Sequence, residues 1–164
     1  MRSLRLPFPS LAAAALAAGL AACSTPGMAP SDGLAPAPGP DVPAKYSAEE
    51  IVGRWGLASY QRDQDRARTE TQARSQCRQP YVISKGPTGG VMMHLADQRQ
   101  QSELRLKGAA GGRTFIGPPD EPAGGALDRE ILSFDGRVMV TRYVDPDAGN
   151  RYGNMVYVRC APRA

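Results

Sequence analysis

Between Gly53 and Cys160, apolar side chains recur at every second position in short runs, and each run stops at a cluster of Gly, Pro, Asp or Asn. A period of two is the signature of strands with one buried face. The runs predict strands over 53–60, 81–84, 91–95, 103–107, 113–116, 127–134, 137–144 and 152–160. In the first, Trp55 and Leu57 share one face and Ala58 and Tyr60 the other. In the fourth, Leu104 and Leu106 point one way and the charged residues point the other. Asp135-Gly136 is a strong hairpin signal, and Gly108 to Gly112 and Asp145 to Asn150 read as turns. About eight short strands joined by tight turns predict a mainly β fold. We expect an antiparallel up-and-down barrel, because closure removes exposed sheet edges. The inside of so small a barrel holds side chains or one small ligand. Leu57, Met93, Leu104, Leu106, Met139 and Met155 are the candidate lining of such a pocket, methionine being adaptable to varied ligands.

Two stretches break the period. Ser47-Ala48-Glu49-Glu50 has the form of a capping box, which predicts a helical turn running into Ile51-Val52 and ended by Gly53. Residues 65–76 are rich in helix formers and predict one short surface helix after strand 1, with Glu70 and Arg74 at a favourable i,i+4 spacing. Leucine is absent there, so its buried face is thin. The charges on Asp63, Asp65, Arg66, Arg68, Glu70 and Arg74 read as a solvated helix face.

The first forty residues follow another pattern. Arg2 and Arg5 precede an apolar run from Leu11 to Leu20, then Ala21 and Ala22. This is the order of a secretory leader, and the run is too short for a spanning helix. Leu20-Ala21-Ala22-Cys23 resembles the lipobox of bacterial lipoproteins. The resemblance implies a leader over 1–22, a lipidated Cys23 and permanent attachment to a membrane by several acyl chains. In that class Ser24, in place of an Asp, implies the outer membrane; we expect the periplasmic face. From Cys23 to Ala44, prolines alternate with Ala, Gly and Ser, a composition that cannot bury enough surface to order itself and reads as a tether. The barrel domain is expected over 45–164.

The formal net charge of +4 falls to +2 once Arg2 and Arg5 leave with the leader. No basic run interleaves with aromatic residues, and nucleic acid is not an expected partner. With Cys23 acylated, Cys77 and Cys160 form an even pair in a compartment that permits disulfides, and we expect them to be bonded.

The side chains for a catalytic site are sparse. His94 is the only histidine, and no Gly-x-Ser-x-Gly is present, so we expect no enzyme and read His94 as structural. One histidine and two oxidised cysteines do not make a zinc set. The glycine-rich stretch 108–112 lacks the lysine of a phosphate loop, and 145–150 lacks the closing glutamate of a calcium loop. No cofactor or metal is expected.

Gly53-Arg54-Trp55 resembles the Gly-x-Trp opening of lipocalin-like (calycin) barrels. There the tryptophan plugs one barrel end and an arginine near the last strand packs across it; the resemblance pairs Trp55 with Arg159, or less directly with Arg142. The order of lipobox, Pro/Ala tether and Gly-x-Trp barrel is similar to bacterial lipoproteins with an alkaline-protease-inhibitor domain. That likeness implies an inhibitory arm near residues 43–47. The expected activity is therefore binding, of a small apolar molecule or an envelope protein. Protease inhibition and a structural role in the envelope are the alternatives.

Overall fold

The computed structural model describes residues 42–162, so the leader, Cys23 and the tether up to residue 41 lie outside the described residues. Eight strands close into a barrel in sequence order, β1 to β8, each antiparallel to its neighbours, with β8 returning to β1. They are β1 (Gly53–Tyr60), β2 (Tyr81–Lys85), β3 (Val91–His94), β4 (Gln101–Ala109), β5 (Arg113–Gly117), β6 (Arg129–Phe134), β7 (Val138–Tyr143) and β8 (Asn154–Arg159). The expected up-and-down barrel is the observed fold.

The period of two sorts the side chains into two layers. Trp55, Ile83, Val91, Met93, Leu104 and Met139 are fully buried in the barrel interior. Tyr60, Val140, Val156 and Val158 form a second, outer cluster with Ala73. That cluster lies under α2 (Arg66–Ser75), the surface helix after β1, flanked by single 3-10 turns at Asp63–Asp65 and Gln76–Arg78. Only Thr69 and Ala73 of α2 are buried, and close approach substitutes for bulk. A Cβ on Gly56 would lie 1.9 Å from the Ala73 carbonyl oxygen, so only glycine admits the helix at this depth. On this helix Arg66 pairs with Glu70 at 3.1 Å, in place of the Glu70–Arg74 pairing read from the sequence.

The capping box forms: Ser47 N donates to Glu50 Oε2 at 2.8 Å and Glu50 N donates to Ser47 Oγ at 3.3 Å. It starts α1 (Ala48–Ile51), which ends one residue short of β1. Residues 145–150, read as a turn, instead open α3 (Pro146–Tyr152). Asp145 Oδ1 accepts from Ala148 N at 2.7 Å, and Pro146 occupies the first helical turn, where its missing N–H costs nothing. Strand β6 starts at Arg129, two residues later than expected, and carries a bulge at Leu132. The bulge lets Ile131 and Phe134 both reach the interior while Leu132 faces solvent.

Ordered pairing begins before residue 45. Val42 bridges Gly108, where a Cβ would lie 2.3 Å from the carbonyl oxygens of Val42 and Pro43. Lys45 N donates to Thr114 Oγ1 at 3.0 Å, and Tyr46 packs edge-on against Phe134 at 5.2 Å. Residues 42–47 thus lie along the barrel wall.

Cys77 and Cys160 are bonded, with Cα atoms 5.5 Å apart and a sequence separation of 83. The bond joins the turn after α2 to the end of β8.

Candidate ligand site at the open end of the barrel

The two ends of the barrel are built differently. At the end where β1 begins, Trp55 is fully buried and donates Nε1–H to the Ile51 carbonyl at 2.9 Å. Arg159 lies 4.1 Å from the indole centroid. Its Nε donates to the Gly136 carbonyl at 2.8 Å, Nη1 to that of Val52 at 3.1 Å, and Nη2 to that of Glu50. Burial pulls the Arg159 pKa down, yet a guanidinium keeps its charge at any physiological pH. Phe134 and Tyr157 meet the indole edge-on, at 6.2 and 6.4 Å. This end is closed.

Behind it the interior is packed. Met93, Leu104 and Met139, three of the expected pocket residues, are fully buried in the core and leave no wall free. Alternation says which residues point inward; it does not say whether the inward space is full. Leu106 is half-buried against that core and borders a shallow depression of about 290 Å³ beside Tyr46.

At the opposite end, where β1 finishes, the packing stops short. A cavity of about 250 Å³ opens there. Its apolar wall is Leu57 on β1, Leu95 just after β3 and Met155 on β8, together with Tyr81, Tyr143, Tyr152 and Tyr157. Arg129, the first residue of β6, completes the wall and is 2 % exposed. Strand register brings these together: Arg129 stands opposite Tyr143, and Leu57 opposite Tyr157. Burying a charge costs several kcal/mol unless partners replace its water. Here Arg129 Nη1 donates to Tyr157 Oη at 3.1 Å, Nη2 donates to the His94 carbonyl, and the guanidinium sits 4.8 Å from the Tyr143 ring centroid. The Nε–H has no acceptor. Burial works against the charge, but the phenolic oxygens of Tyr157, Tyr143 and Tyr81 outweigh it and raise the Arg129 pKa. Burial likewise pushes the phenols of Tyr81 and Tyr143 up.

His94 sits at this rim. Its backbone N–H donates to Tyr81 Oη at 3.0 Å, and its Nδ1 lies 3.2 Å from the same oxygen. No nucleophile or carboxylate accompanies it in the hydrogen bonds among the described residues, so the histidine orients Tyr81. Asp97 of the β3–β4 loop and Tyr152 also line the cavity; Asp97 accepts from Arg151 at 2.5 Å and from the Tyr152 hydroxyl, tying that loop to α3. The Tyr152 bond, and then the Arg151 charge, hold the Asp97 carboxyl below its ordinary value.

A larger depression, about 620 Å³, is an outer groove beside the disulfide, bordered by Arg74, Arg137 and Arg159. It lies outside the barrel, and the Arg159 guanidinium there is already committed to carbonyls. Among the described residues no cluster of His, Cys, Asp or Glu could hold a metal, and no helix is long and apolar enough to cross a membrane.

Of the expected pocket residues, Leu57 and Met155 reach the open-end cavity. Arg129 was not among them. Its signal was present, since it shares the parity of the inward Ile131 two positions on. An arginine at that parity reads as a strand end in solvent unless the neighbouring strands supply phenols. The chain matches no protein family, no curated protein and no solved structure.

Proposed function

We propose that this chain is a non-catalytic lipoprotein, held by acyl chains on Cys23 to the periplasmic face of the outer membrane. Its barrel binds a small molecule with an apolar or aromatic body at the open end. One observation carries the binding reading: a cavity of about 250 Å³ at the barrel mouth, walled by Leu57, Met155 and four tyrosines above a packed floor. Ligand pockets usually span about 300–1,000 Å³, so the occupant is small. At about 30 Å³ of liquid volume per water-sized group, it has roughly eight to ten non-hydrogen atoms.

A test is calorimetric titration of the barrel domain with small aromatic and short-chain aliphatic compounds, followed in parallel by Trp55 fluorescence. Met155→Trp fills the mouth and should abolish binding while circular dichroism stays unchanged. Binding that survives Met155→Trp would sink the reading. Mass spectrometry of the processed chain tests the anchor, with an acylated Cys23 as the first residue. Inhibition by an arm at 43–47 fits less well, because those residues pair with β4 and β5 and pack on Phe134.

A further inference from the structure

Arg129 has partners but no counter-charge. Every carboxylate near it in sequence or at the rim is committed elsewhere. Asp128 accepts from Lys107 at 2.6 Å and Glu130 from Arg113 at 2.7 and 2.9 Å, while Asp97 holds Arg151 and Tyr152. Among the described residues no ion pair includes Arg129. The groups that do accept from it, a phenol and a carbonyl, are neutral. A buried charge of this kind is usually paired. Its Nε–H is a buried strong donor without an acceptor, and the residue that carries it is one of those lining the cavity. The hydroxyl of Tyr157 accepts from Nη1 and keeps its own proton to donate.

We propose, on the strength of the binding reading above, that the open end takes a small monocarboxylic acid: its carboxylate on Arg129 and Tyr157, its apolar tail against Leu57 and Met155. The planar guanidinium matches a carboxylate better than any other common anion of this size. A phosphate dianion would want a second cation. The nearest arginine at the rim, Arg151, is already held by Asp97.

The experiment compares matched pairs: phenylacetate against phenylacetamide, and hexanoate against hexanamide, by calorimetry on the whole barrel domain. The acids should bind about tenfold or more tightly than the amides, as a charge-assisted pair requires. Arg129→Met should bring the ratio to about one. If that variant fails to fold, Tyr157→Phe serves, and should narrow the ratio several-fold. In the unaltered protein, the Arg129 Nε–H resonance should shift on adding acid and not on adding amide. Amides binding as tightly as acids would overturn the carboxylate assignment and leave the binding reading standing. If neither class binds, both fall. An Nε–H signal indifferent to every acid would mark Arg129 as a strut of the barrel end and overturn the inference.

Discussion

Arg159 and Arg129 are the same residue type set against aromatic rings at opposite ends of one barrel, and their surroundings give them different work. Arg159 spends its guanidinium on three backbone carbonyls and the indole of Trp55. It ties α1, the β6–β7 hairpin and β8 to one ring, which is a structural task. Arg159→Ala removes those hydrogen bonds and the cation–π contact together. At about 1 kcal/mol for each of the three bonds to a charged donor at a half-wet site, and about 0.5–1 for the ring, it should cost roughly 3.5–4 kcal/mol. Urea unfolding followed by Trp55 emission measures it. Lysine should recover less than half, because an ammonium cannot serve three carbonyls around a flat ring. A loss below about 0.5 kcal/mol would mean that Trp55 closes the barrel without help. The pairing of Trp55 with Arg159 was expected because the Gly-x-Trp motif around Trp55 resembles that of barrels in which an arginine near the last strand packs on the tryptophan. Arg129 has no such motif, and its character comes from tyrosines on β2, β7 and β8 that only the closed sheet brings together.

Strands were legible at the level of elements because their signal is local and repeated. Helix α3 was not, since its seven residues show no apolar stripe and the Asp145-Pro146 start reads equally well as a turn. The bulge at Leu132 was hidden for a related reason: period two carries no mark where one residue is skipped. These elements meet at the rim, where the β3–β4 loop is latched to α3 through Asp97, the one described residue other than glycine with a positive φ. The Asp97 pKa is lower folded than unfolded, chiefly because it accepts from Tyr152. Its contribution is then complete above the unfolded value near 4 and is lost as pH falls through the lower, folded one. The Tyr152 phenol is raised by the same bond, so its share is complete below the unfolded value near 10 and is lost as pH climbs through the folded one. The latch should therefore hold on a plateau of about pH 5–9 and loosen on either side. Amide hydrogen exchange of 95–100 and 146–152 should show faster opening at pH 3 than at pH 6, after correction for intrinsic rates. Asp97→Asn should remove the acid step; an unchanged acid step would place its origin elsewhere.

In the whole molecule, closure and filling are separate questions. Eight short antiparallel strands can form a sandwich as well as a barrel, and the barrel was the expected choice because closure removes exposed edges. Filling depends on the summed volume of inward side chains from all eight strands, which is why Met93, Leu104 and Met139 proved to be core while Leu57 and Met155 reach space. The outer layer is the weaker half. Helix α2 buries only Thr69 and Ala73, and the bond between Cys77 and Cys160 ties the turn that follows it to the end of β8. Closing a loop of 83 residues constrains the unfolded chain by about 4–5 kcal/mol in the chain-entropy account. Replacing both cysteines with alanine should therefore lower stability by up to about that amount. The loss should appear first as exchange of the α2 amides, with the interior amides of β3 and β4 opening only at global unfolding. Ligand affinity at the open end should survive, because no wall of that cavity belongs to α2. If α2 and the interior instead open together in the double alanine variant, the helix is an integral part of the barrel, and the thin contact through Gly56 and Ala73 is stronger than its area implies.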